Sequence, residues 1–188
     1  MKSQDLLILE KLKVGDSSAY KELFDLYYMP LSVYSLKYCD SFELAEDIVQ
    51  DLFIKFWDQK IYLNLQEAIS PYLFKAVKNN SVKAVKKQKK YYFEEIEDQV
   101  NVLMDDERLD LEFLEQEKEK LYKEIEALPL KSKEVFKAIV LENQKYKEVA
   151  LELGISVNTV KTHYSRALKQ LRNSLDVIII LLLVLKKN

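Results

Sequence analysis

An all-α chain of two small helical units is what this sequence predicts, on three observations. Its 188 residues hold only three prolines and two glycines, too few turn-formers for a β-rich or α/β fold, while Leu, Lys, Glu and Ala are abundant. Apolar residues recur at steps of three and four along most of the chain. Charge also changes sign in blocks. Residues 1–70 carry 7 basic and 12 acidic side chains, 71–91 carry 7 basic and none acidic, 92–128 carry 4 and 14, and 129–188 carry 11 and 5. The small net charge of −2 therefore conceals two cationic segments, each a candidate polyanion surface. The acidic stretch between them reads as a linker.

Taken in order, Leu6, Leu7, Leu9 and Leu12 predict a short amphipathic helix over 5–13, ended by Gly15 and Asp16. Asp16 or Ser17 caps a second helix that faces Ala19, Leu23, Phe24 and Tyr27 inward. Pro30 marks a kink or a fresh first turn, and 31–38 forms a further helix of core residues. Over 42–57, turning about 100° per residue, Leu44, Ala45, Ile48, Val49, Leu52, Phe53 and Phe56 fill one half of a helix. Asp47, Gln50 and Asp51 share the other half, with Ile54 beside them. An acidic face carrying an apolar residue that the core does not need suits docking to a basic partner. A solvated face is the plainer reading of that pattern taken alone.

Residues 60–70 read as a loop with a short turn, and Pro71 suits the first position of the next helix. There Leu73, Ala76, Val77, Asn80, Ala84 and Val85 turn inward, leaving Lys75, Lys78, Asn79, Lys83, Lys86 and Lys87 as a basic face. Tyr72, Phe74, Tyr91, Tyr92 and Phe93 flank it. Lysines that follow phosphates, beside rings that stack on bases, suit single-stranded nucleic acid, although aromatic residues at helix ends more often belong to a core. Residues 94–119 are acidic without a clean apolar stripe and read as disordered or loosely helical.

The second unit opens with Leu121, Ile125 and Leu128. Pro129 punctuates it, and Ser132 with Glu134 starts a helix containing Val135, Phe136, Ile139, Val140 and Leu141. The stretch YKEVALELGISVNTVKTHYSRALKQL (146–171) then writes helix, turn and helix. Val149, Ala150 and Leu153 face inward in the first, and Gly154 sits where the chain reverses at positive φ. Ile155 plugs the gap, and Ser156 caps the second helix. Val160, Tyr164, Ala167, Leu168 and Leu171 form its inner stripe. Asn158, Thr159, Lys161, Thr162, Ser165, Arg166 and Lys169 remain outside, and no carboxylate occurs from Ser156 through Leu175. Amides, hydroxyls and cations on one helix are what a DNA major groove accepts, so the second helix is the expected recognition helix.

The chain closes with nine consecutive apolar residues, 177–185. A helix of that length spans about 14 Å against a hydrocarbon core of about 30 Å, so it cannot cross a bilayer. Covering an apolar patch on either unit, or binding a partner, fits better. One His and one Cys cannot form a tetrahedral zinc site without well-placed carboxylates, and two isolated glycines cannot cradle a phosphate. His163 lies within the recognition helix and is a poor triad base. No catalytic residue, metal or cofactor is expected, and no small-molecule substrate. The single Cys39 and the absence of a signal-peptide pattern fit a reducing cytoplasm.

Set side by side, the two halves resemble the extracytoplasmic function group of sigma-70 family RNA polymerase sigma factors. The resemblance is carried, in order, by AEDIVQDLFIKFW (45–57), PYLFKAVKNN (71–80) and the run from LPLKSKEVF (128–136) to KQLR (169–172). It implies a region 2 domain over 1–91, an acidic linker over 92–118, a region 4 helix-turn-helix over 119–175 and an apolar tail over 176–188. It further implies a bacterial cytoplasmic protein whose partners are core RNA polymerase, promoter DNA and an anti-sigma factor. Asp47, Gln50, Asp51 and Ile54 would then dock on core polymerase. Tyr72, Lys75, Lys78, Asn79 and Lys83 would lie along the melted −10 strand, with the 60–70 loop helping to hold a flipped base. Lys161, Thr162, Ser165, Arg166 and Lys169 would read the −35 element, with Asn158 and Thr159 near phosphate. Two rivals explain less. A dimeric operator-binding regulator leaves the acidic helix unaccounted for, and a membrane adaptor held by the short tail would bind only marginally.

Overall fold

A computed structural model of the chain describes residues 2–66, 68–88 and 111–185. It divides into two compact units, Met1–Asp106 and Glu107–Asn188. Every regular element among the described residues is helical.

The first unit packs four helices: α1 (Lys2–Lys13), α2 (Ser18–Ser35), α3 (Phe42–Asp58) and α4 (Ile69–Gln88), with a 3-10 turn at Ile61–Asn64. Gly15, at φ +85°, ends α1. Its N–H bonds the Leu12 carbonyl while the Asp16 N–H reaches back to Lys11, so the last carbonyls of α1 are satisfied by the reversal itself. Asp16 then accepts from the backbone N–H and hydroxyl of Ser18, which opens α2. Those bonds hold the Asp16 carboxyl below its usual range.

The inner face of α1 is not the leucine stripe. Ile8, Leu9 and Leu12 are buried, whereas Leu6 and Leu7 are exposed. Asp5 is buried with them, accepting the Tyr27 hydroxyl and the Ser70 backbone N–H at 2.9 Å. A carboxylate from α1 thus serves one of the orphan N–H groups at the start of α4. That helix begins at Ile69, so Pro71 lies inside its first turn, where the missing N–H costs no hydrogen bond.

Pro30 neither ends nor restarts a helix: α2 runs through it. An interior proline costs about 3 kcal/mol, but Pro30 to Ser35 are all buried. Apolar side chains there are worth about 2 kcal/mol each when fully covered, and this outweighs the local loss. The small polar groups in this region are matched, Ser35 to Ser81 at 2.8 Å and Ser81 to the Val77 carbonyl at 2.8 Å.

The second unit holds α5 (Leu111–Glu126), α6 (Leu130–Val140), α7 (Tyr146–Glu152), α8 (Val157–Gln170), a 3-10 turn at Arg172–Ser174 and α9 (Leu175–Leu185). Of the acidic stretch expected to be linker, 92–110 lies outside the described residues, and from Leu111 the chain is helical. α6 starts directly after Pro129, not at Ser132, which is buried inside the helix. Lys133 and Lys137 of α6 both bond Glu126 of α5, holding its carboxyl below the usual range, the Lys137 bond contributing most. The apolar tail is a structural helix of this unit. α9 packs on α5 and α6, burying Val177, Ile178, Ile179, Leu182 and Leu183, and Ser174 donates to Glu124 at 2.6 Å. No described helix is long and apolar enough to cross a membrane.

Candidate nucleic-acid interface

The α7–α8 hairpin is set by short-range chemistry. Gly154 takes φ +62°, its N–H bonding Leu151 O at 3.4 Å while the Ile155 N–H reaches Ala150 O at 3.0 Å. This pair closes α7 and reverses the chain. Ser156 Oγ accepts the Thr159 N–H at 3.0 Å, capping α8 as its sequence position predicted. Behind the hairpin, Tyr164 lies between the rings of Phe136 and Tyr146, each 6.1 Å away.

Val160, Tyr164, Ala167 and Leu168 are buried, which turns the opposite side of α8 to solvent. Asn158, Thr162, Arg166 and Lys169 stand exposed on it, with Thr159, Lys161 and Ser165 half-buried at its edges. The seven expected residues are thus on one helix but not on one line. Lys161 leans toward α7, its Nζ 5.5 Å from the Tyr146 ring. Thr162 donates its hydroxyl proton to the Asn158 carbonyl at 2.9 Å, so outward it offers lone pairs and a methyl group.

On α4, Tyr72, Lys75, Asn79 and Lys83 follow one another at steps of three and four. Tyr72 is half-buried and the other three exposed. The Tyr72 ring lies 5.9 Å from Phe56, and burial raises its hydroxyl pKa. Lys78 is half-buried beside this stripe. Phe74 is core, edge-on to Tyr34 at 5.0 Å, and cannot be a base platform. Tyr91, Tyr92 and Phe93 lie outside the described residues. The loop before α4 is entered through Lys60 at φ +48° and anchored by Tyr62, which is buried against Phe56 and Trp57 at 5.9 Å each.

Asp47, Gln50, Asp51 and Ile54 are exposed together on α3, Ile54 at 55%. Behind them Gln50 Nε2 donates to the Tyr28 hydroxyl at 3.1 Å, which donates to the buried Glu46 at 2.9 Å. Burial first, and the nearby Glu46 carboxylate, raise the Tyr28 pKa. The ridge therefore stands on a fixed polar chain, whereas its own carboxylates remain in water.

Sequence reasoning missed one feature. A cleft of about 310 Å³ opens between the start of α6 and the second half of α8, lined by Lys131, Ser132, His163, Arg166 and Lys169 among others. Ser132 Oγ lies 3.4 Å from His163 Nδ1. His163, Arg166 and Lys169 recur at steps of three along α8, but nothing local announces their meeting with Lys131, more than thirty positions earlier.

Three comparisons bear on this geometry. The family description "Sigma-70, region 4" matches residues 118–171, which contain α6, α7, α8 and most of α5. The chain is 31% identical over 134 residues to RNA polymerase sigma factor SigV of Bacillus subtilis, covering 68% of this chain and 74% of that protein. It is 24% identical over 180 residues to ECF RNA polymerase sigma factor SigW of the same organism, covering 89% and 94%. Among solved structures, it is similar to the sigma factor RpoE of Bartonella quintana, crystallised with the anti-sigma factor NepR. That match has 20% identity, covers 86% of this chain and 96% of the other, and has a TM-score of 0.34.

Proposed function

The chain belongs to the extracytoplasmic function RNA polymerase sigma factors, and from that membership we propose how its surfaces divide the work of promoter-specific transcription initiation. Residues 1–91 act as region 2 and 119–175 as region 4, joined across 92–118. The α3 ridge of Asp47, Gln50, Asp51 and Ile54 docks on core RNA polymerase. The α4 stripe of Tyr72, Lys75, Asn79 and Lys83, with Lys78 beside it, follows the melted −10 strand. Lysines neutralise phosphates there, and the Tyr72 ring offers a stacking face. α8 enters the major groove of the −35 element, with Thr162, Ser165, Arg166 and Lys169 toward base edges and Asn158 and Thr159 toward the backbone. Lys161 approaches from the α7 side.

The observation that carries this reading is the open face of α8. Thirteen residues from Asn158 to Gln170 include three cations and no carboxylate, and the helix is presented by a glycine turn and a serine cap. Membership of this group, and no single residue of α8, supports a binding factor without catalytic residues that works in the bacterial cytoplasm. An anti-sigma protein holds it inactive, as membership of this group suggests.

Run-off transcription with purified core polymerase tests the reading. The full chain should direct initiation at a defined promoter, and a chain that binds operator DNA without starting RNA synthesis would refute it.

A further inference from the structure

We propose that α1 is the strut that holds the 60–70 loop in shape for capturing a base of the melted −10 strand, and that Lys13 is its positioning residue. The proposal rests on the reading that this loop helps to hold a flipped base.

α1 carries none of the surfaces assigned above, yet both of its ends reach the segment that leads from Lys60 into α4. In its first turn the buried Asp5 carboxylate accepts the Ser70 backbone N–H at 2.9 Å. In its last turn Lys13 Nζ donates to the Leu65 carbonyl at 2.5 Å. Asp5 and Lys13 stand about 12 Å apart along the helix axis at 1.5 Å per residue. The chain from Leu65 to Ser70 spans at most about 17 Å when extended. A rigid helix thus sets the separation of the two tied points.

The helix is braced in turn. Asp5 also accepts the Tyr27 hydroxyl of α2, and Lys11 pairs with Glu22 of α2 at 3.0 Å. Two ties run to α2 and two to the segment before and at the start of α4, so the loop is fixed to the body of its unit through α1.

The loop needs such support where Lys13 supplies it. Its entry is anchored by the buried Tyr62, but after that ring Leu63 is 52% exposed, and Asn64 and Gln66 are exposed as well. At Leu65 the chain leaves the 3-10 turn for extended backbone, φ −82° and ψ 135°, and its N–H reaches the Tyr62 carbonyl at a long 3.4 Å. Side-chain burial therefore holds this part weakly, and a charge-assisted bond to the Leu65 carbonyl fixes the peptide plane instead. A loop ordered before the base arrives does not lose that freedom on binding, so positioning shows as affinity for the base. The same solvated bond adds little to the stability of the folded unit.

The test uses holoenzyme reconstituted from the full chain and core polymerase, with single-stranded oligonucleotides of the −10 non-template strand as the probe. One set carries an abasic site at each position in turn. Wild-type holoenzyme should bind about tenfold more weakly when the captured base is missing. Lys13→Met should bind the intact strand about fivefold more weakly, and should lose little more when that base is removed, because the two changes disable one contact. Lys13→Arg, which still donates to a carbonyl, should restore most of the affinity. Because Lys13 is exposed, the urea midpoint and assembly with core polymerase should match wild type for both variants.

Additive losses from Lys13→Met and the abasic site overturn the proposal, and so does a Lys13→Arg protein as impaired as Lys13→Met. A salt slope lowered by about 0.7 in Lys13→Met also overturns it, since that would make Lys13 a phosphate contact. Lost core assembly or a lowered urea midpoint would reduce α1 to general support of its unit and overturn it equally. Wild-type holoenzyme that is indifferent to abasic sites at every position would instead refute the flipped-base reading beneath the proposal.

Discussion

Two residues with no place in any binding surface decide whether the surfaces exist. At Gly154 the added methyl of alanine would meet nothing within 4 Å, so the cost of substitution is purely that of a left-handed backbone. Gly154→Ala should destabilise the second unit by about 1 kcal/mol, with Gly154→Asn closer to neutral, read from urea midpoints. Asp5 is the opposite case, where every consequence lies in its contacts. Asp5→Ala strands the Ser70 N–H in the core, leaves the Tyr27 hydroxyl only its Ser70 side-chain contact and should cost the first unit about 3 kcal/mol. Tyr27→Phe removes one donor and should cost less than half of that. Equal losses would mean that the carboxylate does not serve the start of α4. The tyrosines add a pH signature. Burial, and then a neighbouring carboxylate, raise the pKa of both Tyr27 and Tyr28 above the ordinary value. Above a pH of about 10 the unfolded chain releases protons that the folded chain keeps. Stability is therefore full below that pH and falls as pH rises through it. Urea midpoints followed by circular dichroism should decline in that range, and Tyr27→Phe should decline less steeply.

At the scale of elements, what could be read from the sequence was what neighbours within a few positions determine. Gly154 and Ser156 act on the next helix or the last one, and the turn and cap stand where their spacing placed them. The α3 ridge was legible for the same reason, since one helix face needs no knowledge of any other. Phe74 was misplaced beside the basic face because nothing local distinguishes a ring that meets Tyr34 from one that meets a base. Asp5 was overlooked, since a lone acid among leucines signals nothing until Tyr27 and Ser70 arrive. Pro30 was taken as an interruption because the surrounding burial that sustains α2 is tertiary. The tail shows the same limit. Its composition announced burial but not the partner, which is the α5–α6 side of its own unit. Ile178 is fully buried while Leu181 is only half-buried. Ile178→Ala should therefore cost about 3 kcal/mol, and Leu181→Ala about half of that or less. If both changes were silent in thermal unfolding, α9 would not be packed on this unit.

Under the proposed division of work, alternation of charge along the chain is what would let one small protein meet a cationic partner and an anionic one without a large net charge. An acidic α3 face and a basic α4 stripe share a single unit, so their contributions should be separable by mutation. Asp47 and Asp51 are solvated, and reversing both to lysine should change the stability of the free chain by under about 1 kcal/mol. Docking responds differently, because reversal replaces attraction by repulsion at two positions of one patch. Holoenzyme assembly should weaken at least tenfold, which is about 1.4 kcal/mol. The loss should shrink as salt is raised, since the Debye length falls from about 10 Å at 0.1 M to about 3 Å at 1 M. Lys75→Ala with Lys83→Ala should show the reverse pattern, leaving assembly with core polymerase intact while reducing strand opening measured by permanganate reactivity near −10. Native gel titration of core polymerase with each pair decides the matter. Full assembly by the Asp47→Lys, Asp51→Lys protein at 0.1 M salt would remove α3 as the docking element, and equal loss of assembly in both pairs would mean that the two faces serve one contact.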